Sequence, residues 1–336
     1  MSDPTIRLKR LAWARVTAPD LDEAMAFLGE FGLAVATRTD DTIYLRGTDP
    51  EPACYVLTEG DGNVEAIAFE AEDRADLEAI ARVEGASPIE KLEGPGGGEA
   101  VRLRDPQGMV VEIVHGVAPL APLETPGPVA INMGGRRERI GDLPAVRPGP
   151  SHVKRLGHLV LESADPDAVY RWYHAHLGLR KADEIKLPDG RTQILFSHLD
   201  RGPEYVDHHV VGFQYAFDEG ARVQHLAFEV DDFDDLMAGH DHLARRKRRN
   251  VWGVGRHRFG GQIFDYWKSP WGLIHEHWTD TDVVNEDHVP TDEELTKLRD
   301  YWGPPPKPAF VISRWNGAAL RNIAGLVWAR IRGARR

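Results

Sequence analysis

Two histidines and one glutamate, far apart in the chain, have the residue types of a metal site. His158 stands in "LGHLVL", His225 in "VQHLAFEV" and Glu276 in "GLIHEH". Each segment is a short apolar run that predicts a β-strand. Two imidazoles and one carboxylate on one face form the triad of non-haem Fe(II) sites, and Mn(II) or Zn(II) accepts the same ligands. Spacing alone leaves a second interpretation open, in which three polar residues are simply satisfied within strands.

An internal repeat makes the three residues informative. Segments 10–33 and 155–179 match each other, as do 64–86 with 223–245 and 101–116 with 264–280. At the positions equivalent to the two histidines and the glutamate, the first copy carries Trp13, Ala66 and Glu112. Only the second copy therefore holds the full set, which favours a metal site there.

The repeat also predicts the architecture. Each copy contains a strand, a helix and further strands twice over, with Asp-containing turns before the helices and Gly near their ends. We predict an α+β chain of two tandem domains, residues 8–117 and 154–284. Each domain consists of two βαβββ modules that form a cup-shaped mixed sheet.

Two further segments lie outside the repeat. Residues 118–150 are rich in Pro and Gly and are interpreted as a linker. Residues 285–336 form a tail with an acidic helix start, "PTDEELTKLRDYW", and a basic amphipathic helix from about 314 to 332. Such a helix could touch a membrane surface, but packing on a neighbouring domain or subunit is the expected arrangement.

Composition restricts the class of protein. The net charge of −12 argues against nucleic acid as the main partner, because phosphate binding needs a clustered positive field. The lone Cys54 excludes a disulfide framework and a thiolate metal site. We expect no signal peptide and no membrane span, since neither an N-terminal apolar region nor a run of about 18 apolar residues occurs. A reducing cytoplasm is the expected compartment.

The strand around Glu276 carries three ionisable residues in a row. Strand alternation places Ile274, Glu276 and Trp278 on the cup side and sends His275 and His277 to the opposite face. The two histidines are then supporting or surface residues. At this short range an exchange of ligands between them and Glu276 stays open.

The chain resembles the type I extradiol ring-cleavage dioxygenases of the vicinal oxygen chelate superfamily over residues 8–284. That family's metal ligands fall on His158, His225 and Glu276. The chain departs from the family at the turn before the last strand, which reads "SPWG" where the first domain keeps "DPQG".

The resemblance also implies catalytic residues. An acid–base histidine falls on His209 in "DHHVVGF", with His208 as the less favoured neighbour. Strand alternation would send His208 to the other face and make its replacement nearly silent. A second active-site histidine falls on His257 in "GVGRHRFG", and a tyrosine ten residues before the glutamate is Tyr266.

The implied activity is extradiol cleavage of a catecholic substrate with O2 at Fe(II), with Mn(II) as the other possible metal. The partners would be a small aromatic diol and O2, and a homo-oligomer is expected. Trp252, Phe264 and Trp267 could form aromatic walls or plain core, and Arg256 or Arg258 could pair with a substrate carboxylate. Two alternatives remain: a glyoxalase-like metal-dependent isomerase, lyase or transferase, and a non-catalytic module that binds an aromatic ligand.

Overall fold

The computed structural model describes residues 4–144, 146–312 and 316–333. Over these residues the strands form two large mixed sheets and one two-stranded ribbon. The first sheet uses residues of 8–115 and the second uses residues of 153–294. We propose 8–117 and 154–284 as domains, joined by the linker 118–150.

The first sheet contains two successive βαβββ modules, as predicted. The first module is β1 (Leu8–Ala18), α1 (Leu21–Phe31), β2 (Ala34–Arg38), β3 (Thr42–Arg46) and β4 (Tyr55–Glu59). The second is β5 (Val64–Ala71), α2 (Arg74–Ile80), β6 (Glu90–Lys91), β7 (Glu99–Arg104) and β8 (Val110–His115). The strand order is β2-β3-β4-β1-β5-β8-β7-β6.

The second sheet repeats this plan and adds pieces of the tail. Its first module is β9 (Val153–Ser163), α3 (Pro166–Leu177), β10 (Arg180–Lys186), β11 (Thr192–His198) and β13 (Val211–Tyr215), with the short β12 (Val206–Asp207) before β13. Its second module is β14 (Arg222–Val230), α4 (Phe233–Arg245), β15 (Arg249–Arg256), β16 (Ile263–Lys268) and β17 (Ile274–Thr279). The tail contributes β18 (Val283–Val284), β19 (Thr291–Glu294), α5 (Pro308–Val311) and α6 (Gly317–Gly333). The order is β15-β16-β17-β14-β9-β13-β11-β10-β19, and β12 pairs with β18.

The predicted helix ends are confirmed. Asp20 and Asp165 cap α1 and α3 by accepting hydrogen bonds from the backbone N–H groups of Glu23 and Ala168. Gly32 and Gly178 end the same two helices in the left-handed conformation, with φ of 113° and 70°. Asp-containing starts and glycine ends therefore bound both helices.

Alternation along β14 divides the second sheet into a core face and a cup face. Leu226 and Phe228 are fully buried in the main apolar core, together with Phe31 of α1 and Leu243 of α4. His225, one residue before Leu226, and Ala227, one residue after it, must face the other way, because side chains alternate along a strand. Helix packing on one face thus leaves the opposite face for polar chemistry.

The acidic start of the tail is a strand and not the predicted helix. β19 pairs in parallel with β10, and Lys181 of β10 contacts Asp292 at 3.1 Å. An edge strand offers unpaired backbone groups, so tertiary pairing overrides a local helical preference here. The prediction was wrong because the local sequence "PTDEEL" does not indicate that this segment pairs with β10.

The basic helix of the tail packs on its own chain. Asn322 of α6 donates a hydrogen bond of 2.9 Å to the backbone carbonyl of Phe217. The predicted start near Arg314 lies outside the described residues. In the part of the chain that the structure describes, no helix combines the length and apolar character needed to cross a membrane.

Candidate active site

The predicted metal ligands converge because of strand register. Ala227 of β14 pairs with His158 on β9 and with Glu276 on β17. His158 and Glu276 therefore lie in one row on either side of β14, and His225 lies two residues from Ala227 on the same face. One ligand atom from each of His158, His225 and Glu276 lies within 4.8 Å of the others, and all three residues are buried.

The same comparison in the first sheet explains why it has no equivalent cluster. Ala68 pairs with Trp13 and with Glu112, which is the register of the second sheet. Glu112 accepts hydrogen bonds from the indole of Trp13 at 3.0 Å and from the Nε atoms of Arg15 and Arg102 at 2.8 and 2.9 Å. Two guanidinium groups thus neutralise the buried carboxylate of Glu112 in the first sheet. In the second sheet, the equivalent carboxylate of Glu276 has two histidines beside it instead.

The second-sheet cluster has unfilled bonding capacity. Glu276 Oε2 lies 3.1 Å from His158 Nε2 and 3.2 Å from His225 Nε2. Glu276 Oε1 and His225 Nε2 are buried without a hydrogen-bond partner among the described residues. Burial raises the pKa of Glu276, but His158 and His225 outweigh it and hold the pKa well below its ordinary range. An ionised carboxylate beside imidazole nitrogens fits a divalent cation, so the residues fit the metal predicted for them.

Gln224 sets the tautomer of one candidate ligand. Its side-chain oxygen lies at hydrogen-bond distance from His225 Nδ1, and its amide nitrogen donates to the backbone carbonyl of Phe310 at 3.1 Å. His225 Nδ1 is then the N–H donor, which leaves Nε2 with the free lone pair that a metal requires. Burial lowers the pKa of His225, which also favours the neutral ring.

Trp278 closes the cluster beside His158. The two ring centroids lie 5.8 Å apart. Gly157 makes this approach possible, because a Cβ at that position would collide with the indole of Trp278. The predicted cup-side position of Trp278 is therefore confirmed.

His209 lies against the cluster but not on a strand. Its ring centroid is 4.2 Å from that of His158, and the residue falls in the bend between β12 and β13. The alternation argument for His208 and His209 was wrong, because it requires extended strand backbone. Both histidines are buried, and their Nδ1 atoms lie 3.1 Å apart. Burial, followed by the nearby His158, lowers the pKa of His209 well below its ordinary value.

His257 and Tyr266 form a second arm of the site. Tyr266 pairs with Glu276 across the β16–β17 ladder, and its hydroxyl lies 2.9 Å from His257 Nε2. His257 Nδ1 lies 3.1 Å from the carboxylate of Asp300 in the tail. Burial, followed by the charge of Glu276, raises the pKa of Tyr266 well above its ordinary value, so its hydroxyl stays protonated.

Aromatic side chains surround this arm. Trp252 stacks on Tyr266 with centroids 5.4 Å apart, Phe264 stacks on His257 at 4.0 Å, and Phe310 lies 4.7 Å from Tyr266. Trp252 and Phe264 therefore lie beside Tyr266 and His257, and their role as walls for a ring substrate stays a prediction. Trp267 instead bonds Asp265 and contacts His240 of α4, so it belongs to the core face.

Neither arginine of the "GRHR" stretch is free for a substrate carboxylate. Arg256 forms an ion pair with Asp280, and Arg258 forms one with Glu293 at 2.7 Å. Both guanidinium groups have carboxylate partners in the folded chain. Recognition of a substrate acid by Arg256 or Arg258 would have to break an existing pair.

His275 and His277 face away from the cup, as predicted, but they are not surface residues. Both are fully buried where β17 packs against the first module of the first sheet. His275 Nε2 lies 3.3 Å from the hydroxyl of Tyr55, and His277 Nε2 donates to the carbonyl of Phe31 at 2.7 Å. The two histidines therefore join β17 to the N-terminal half of the chain.

This buried pair predicts acid lability. Burial lowers the pKa of His275 from 6.5 to about 3 and that of His277 from 6.5 to about 4. Between 6.5 and these values the unfolded chain binds protons that the folded chain does not, so stability is lost as pH falls through that window. We expect the urea concentration at the unfolding midpoint to decrease as the pH is lowered below about 6. By pH 4 the free energy of unfolding should have fallen by an amount on the order of a few kcal/mol. Urea titrations at stepped pH measure it.

His277→Gln is the matched control for this linkage. Glutamine can still donate to the Phe31 carbonyl but does not titrate. We expect the variant to show a flatter dependence of the urea midpoint on pH than the natural chain. An unchanged slope would assign the acid lability to other groups.

The sequence-based reasoning missed Asp183, Gln224, Thr291, Asp300 and Phe310, each of which contacts a site residue or its partner. Gln224 could have been noticed as the neighbour of His225. Asp183 comes from β10 and the other three come from the tail, and no local pattern connects them to the cup.

Comparison with known proteins agrees with this geometry. Residues 155–276 match the family described as the Glyoxalase/Bleomycin resistance protein/Dioxygenase superfamily. Metapyrocatechase 2 of Cupriavidus necator is 28% identical over 269 residues, covering 79% of this chain and 79% of its own length. An iron-dependent extradiol dioxygenase of Rhodococcus jostii (strain RHA1) is 26% identical over 287 residues, covering 79% of this chain and 87% of its own length.

A solved structure supports the fold. The crystal structure of a Mn(II)-bound glyoxalase from Novosphingobium aromaticivorans superposes with a TM-score of 0.75 at 21% identity, covering 91% of this chain and 94% of that one. The predicted α+β architecture of paired βαβββ modules is thereby confirmed. In its matched segment, residues 155–276, the chain is similar to the Glyoxalase/Bleomycin resistance protein/Dioxygenase superfamily, and over most of its length it is similar to metapyrocatechase 2 and to the iron-dependent extradiol dioxygenase.

Proposed function

We propose that the chain is an extradiol dioxygenase that cleaves a catechol-type aromatic diol with O2. His158, His225 and Glu276 would hold Fe(II), with Mn(II) as the alternative metal. One observation carries the proposal: a buried two-histidine, one-carboxylate cluster has the ring of a third histidine, His209, 4.2 Å from that of His158. A metal site with a neutral base beside it suits chemistry that begins by removing a proton from a bound hydroxyl.

A bound Fe(II) or Mn(II) would supply a Lewis acid that lowers the pKa of one catechol hydroxyl and open positions for two adjacent oxygens. His209 would take the proton of the second hydroxyl and return it later in the reaction. Its lowered pKa keeps the ring neutral and able to accept. A buried base of this kind acts without competition from bulk water.

The second arm of the site would orient the substrate. Tyr266 stays protonated and is a hydrogen-bond donor, and His257 is held by Asp300 at 3.1 Å. The Tyr266 hydroxyl lies 2.9 Å from His257 Nε2, and it can stabilise charge that develops on a substrate oxygen by donating to that oxygen instead. Trp252, Phe264 and Phe310 supply apolar surface for an aromatic ring beside them.

The position of the ring cut tests the proposed reaction. We expect cleavage beside the diol, giving a hydroxymuconic semialdehyde type of product, because Fe(II) with two neutral imidazoles and one carboxylate suits the outside cut. Protein reconstituted anaerobically with Fe(II) or Mn(II) is mixed with a panel of catechols and then with O2. Yellow colour and mass spectrometry identify the product. A dicarboxylic muconate would contradict the proposal.

The same preparation tests the two rival functions. A glyoxalase-like enzyme would turn over the hemithioacetal of methylglyoxal and glutathione and leave catechols intact. Such enzymes usually use an additional carboxylate ligand, and no fourth His, Cys, Asp or Glu joins the cluster within 4–144, 146–312 and 316–333. A non-catalytic binding module would contain no stoichiometric metal after purification.

A further inference from the structure

A chain of contacts leads from His209 away from the cup. His209 Nδ1 lies 3.1 Å from His208 Nδ1, and His208 Nε2 lies 2.7 Å from Asp183 Oδ2 on β10. All three residues are buried, with 3%, 2% and 5% of their surfaces exposed. Among the described residues, His209 Nε2 makes no hydrogen bond, so it is the ring nitrogen left for chemistry.

The other oxygen of Asp183 is already occupied. Asp183 Oδ1 accepts hydrogen bonds from the backbone N–H of Thr291 at 2.7 Å and from its hydroxyl at 2.6 Å. Burial raises the pKa of Asp183, but the bonds from His208 and Thr291 outweigh it and lower the pKa. The carboxylate is ionised and can only accept hydrogen bonds. In its contact with Asp183 Oδ2, His208 Nε2 must therefore be the donor.

The proton positions then follow in order. Because Asp183 only accepts, the neutral form of His208 carries its hydrogen on Nε2, and in that form its Nδ1 is an acceptor. The contact between the two Nδ1 atoms is a hydrogen bond only when His209 donates. His209 therefore carries its hydrogen on Nδ1 and keeps a lone pair on Nε2.

We propose that Asp183 and His208 are positioning residues that hold His209 in the Nδ1–H tautomer, with Nε2 ready to accept a proton from substrate. The inference rests on the proposed function for the role of His209 in turnover. Neither positioning residue touches substrate in this arrangement. Their effect is to exclude the tautomer in which His209 Nε2 carries a hydrogen and cannot act as a base.

Neighbouring groups are consistent with this order. His288 Nε2 lies 4.0 Å from Asp183 Oδ2 but donates to the carbonyl of Ala182 at 2.9 Å, so it does not compete for the carboxylate. Phe196 packs on both histidine rings, with centroids 5.9 Å from His208 and 4.9 Å from His209. An apolar neighbour offers neither ring an alternative partner. Tail residue Thr291 thus reaches the base through Asp183.

Asp183→Asn is the decisive variant because Thr291 fixes its orientation. Thr291 donates twice, so the amide oxygen must take the Oδ1 position and the amide NH2 must face His208 Nε2. His208 then carries its hydrogen on Nδ1, and His209 is driven to the Nε2–H tautomer. A carboxylate-to-amide change that reverses a histidine tautomer can cost up to about 10⁴-fold in a serine protease triad.

The first readout is spectroscopic and does not depend on activity. The full chain is labelled with ¹⁵N-histidine and loaded with Zn(II), which keeps the spectrum diamagnetic. Long-range ¹H–¹⁵N spectra at neutral pH report the tautomer of His209, assigned by the loss of its signals in His209→Gln. We expect Nδ1–H in the natural chain and Nε2–H in Asp183→Asn. An Nε2–H tautomer in the natural chain would overturn the proposal, even if Asp183→Asn failed to fold.

The second readout is kinetic. In Asp183→Asn we expect kcat to fall by about 10- to 10³-fold, with KM, metal content and the urea midpoint close to those of the natural chain. Asp207→Asn is the matched control, since Asp207 directly precedes His208 in the chain but its side chain pairs with Arg155 at 2.7 Å and not with the His208 ring. Unchanged kcat and unchanged tautomer in Asp183→Asn would refute the positioning role. Absence of catechol cleavage by the natural chain would count against the proposed function alone, and the spectrum would still decide the tautomer.

Discussion

Removing any one of His158, His225 and Glu276 is expected to release the metal and abolish turnover. The alanine variants lose a ligand whose donor atom lies within 4.8 Å of the other two. We expect activity to fall by about 10³-fold or more, because several kcal/mol of Lewis-acid stabilisation disappears and each 1.36 kcal/mol is tenfold in rate. Metal analysis of the purified protein and initial rates with a cleaved catechol measure the two effects.

The first sheet provides the control for this prediction. Glu112 occupies the position of Glu276 but is bonded to Trp13, Arg15 and Arg102. Glu112→Gln keeps one acceptor oxygen for Trp13 and Arg15, and Arg102 retains its pair with Glu90. The variant should therefore retain metal and activity, whereas Glu276→Gln should lose both. The alanine change at Glu112 is a poorer control, because it leaves two guanidinium groups without a buried partner. If Glu112→Gln lost the metal and Glu276→Gln kept it, the metal site would lie in the first sheet, and the assignment to the second sheet would be wrong.

Replacing His209 by Asn or Phe is expected to slow turnover by about 10²- to 10⁴-fold while metal and catechol binding persist. This is the usual contribution of a general acid–base group. The physical reason is location: the ring lies against His158 but is not needed to complete the two-histidine, one-carboxylate set. Single-turnover rates separate the chemical step from substrate binding, and metal analysis runs in parallel.

His198 supplies a matched control for His209. It is a buried histidine at the end of β11 whose Nδ1 bonds the carbonyl of Leu199 at 2.8 Å, and it does not contact the cluster. His198→Gln should turn over at close to the natural rate. His208 cannot serve as this silent control, because it touches His209 at 3.1 Å. Metal-free His209 variants would instead make His209 a ligand and remove one member of the proposed triad.

The two predictions differ in what the sequence could support. The metal ligands were predictable because the repeat compares equivalent strand positions, and strand pairing has the same register in both sheets. Trp13 and His158 occupy one position of that register, and Glu112 and Glu276 occupy another. A period of two residues decides which side chains share a face, so the sequence alone could assemble His158, His225 and Glu276.

The surroundings of the cluster were decided by tertiary structure. His208 and His209 lie in a bend, where strand alternation gives no information about direction. His275 and His277 were placed on the correct face, yet only the packing of α1 and β4 against β17 makes them buried.

By itself, the sequence determined the βαβββ plan and the three residues that could bind a metal, because both follow from local periodicity and from repetition. Only the tertiary structure decided that the tail adds a strand beside β10 and brings Thr291 to Asp183 and Asp300 to His257. These contacts join residues 43 to 108 positions apart. The contacts form because β10 would otherwise leave its edge backbone groups unpaired and because buried polar groups need hydrogen-bond partners. The local sequence of the tail gives no sign of either requirement.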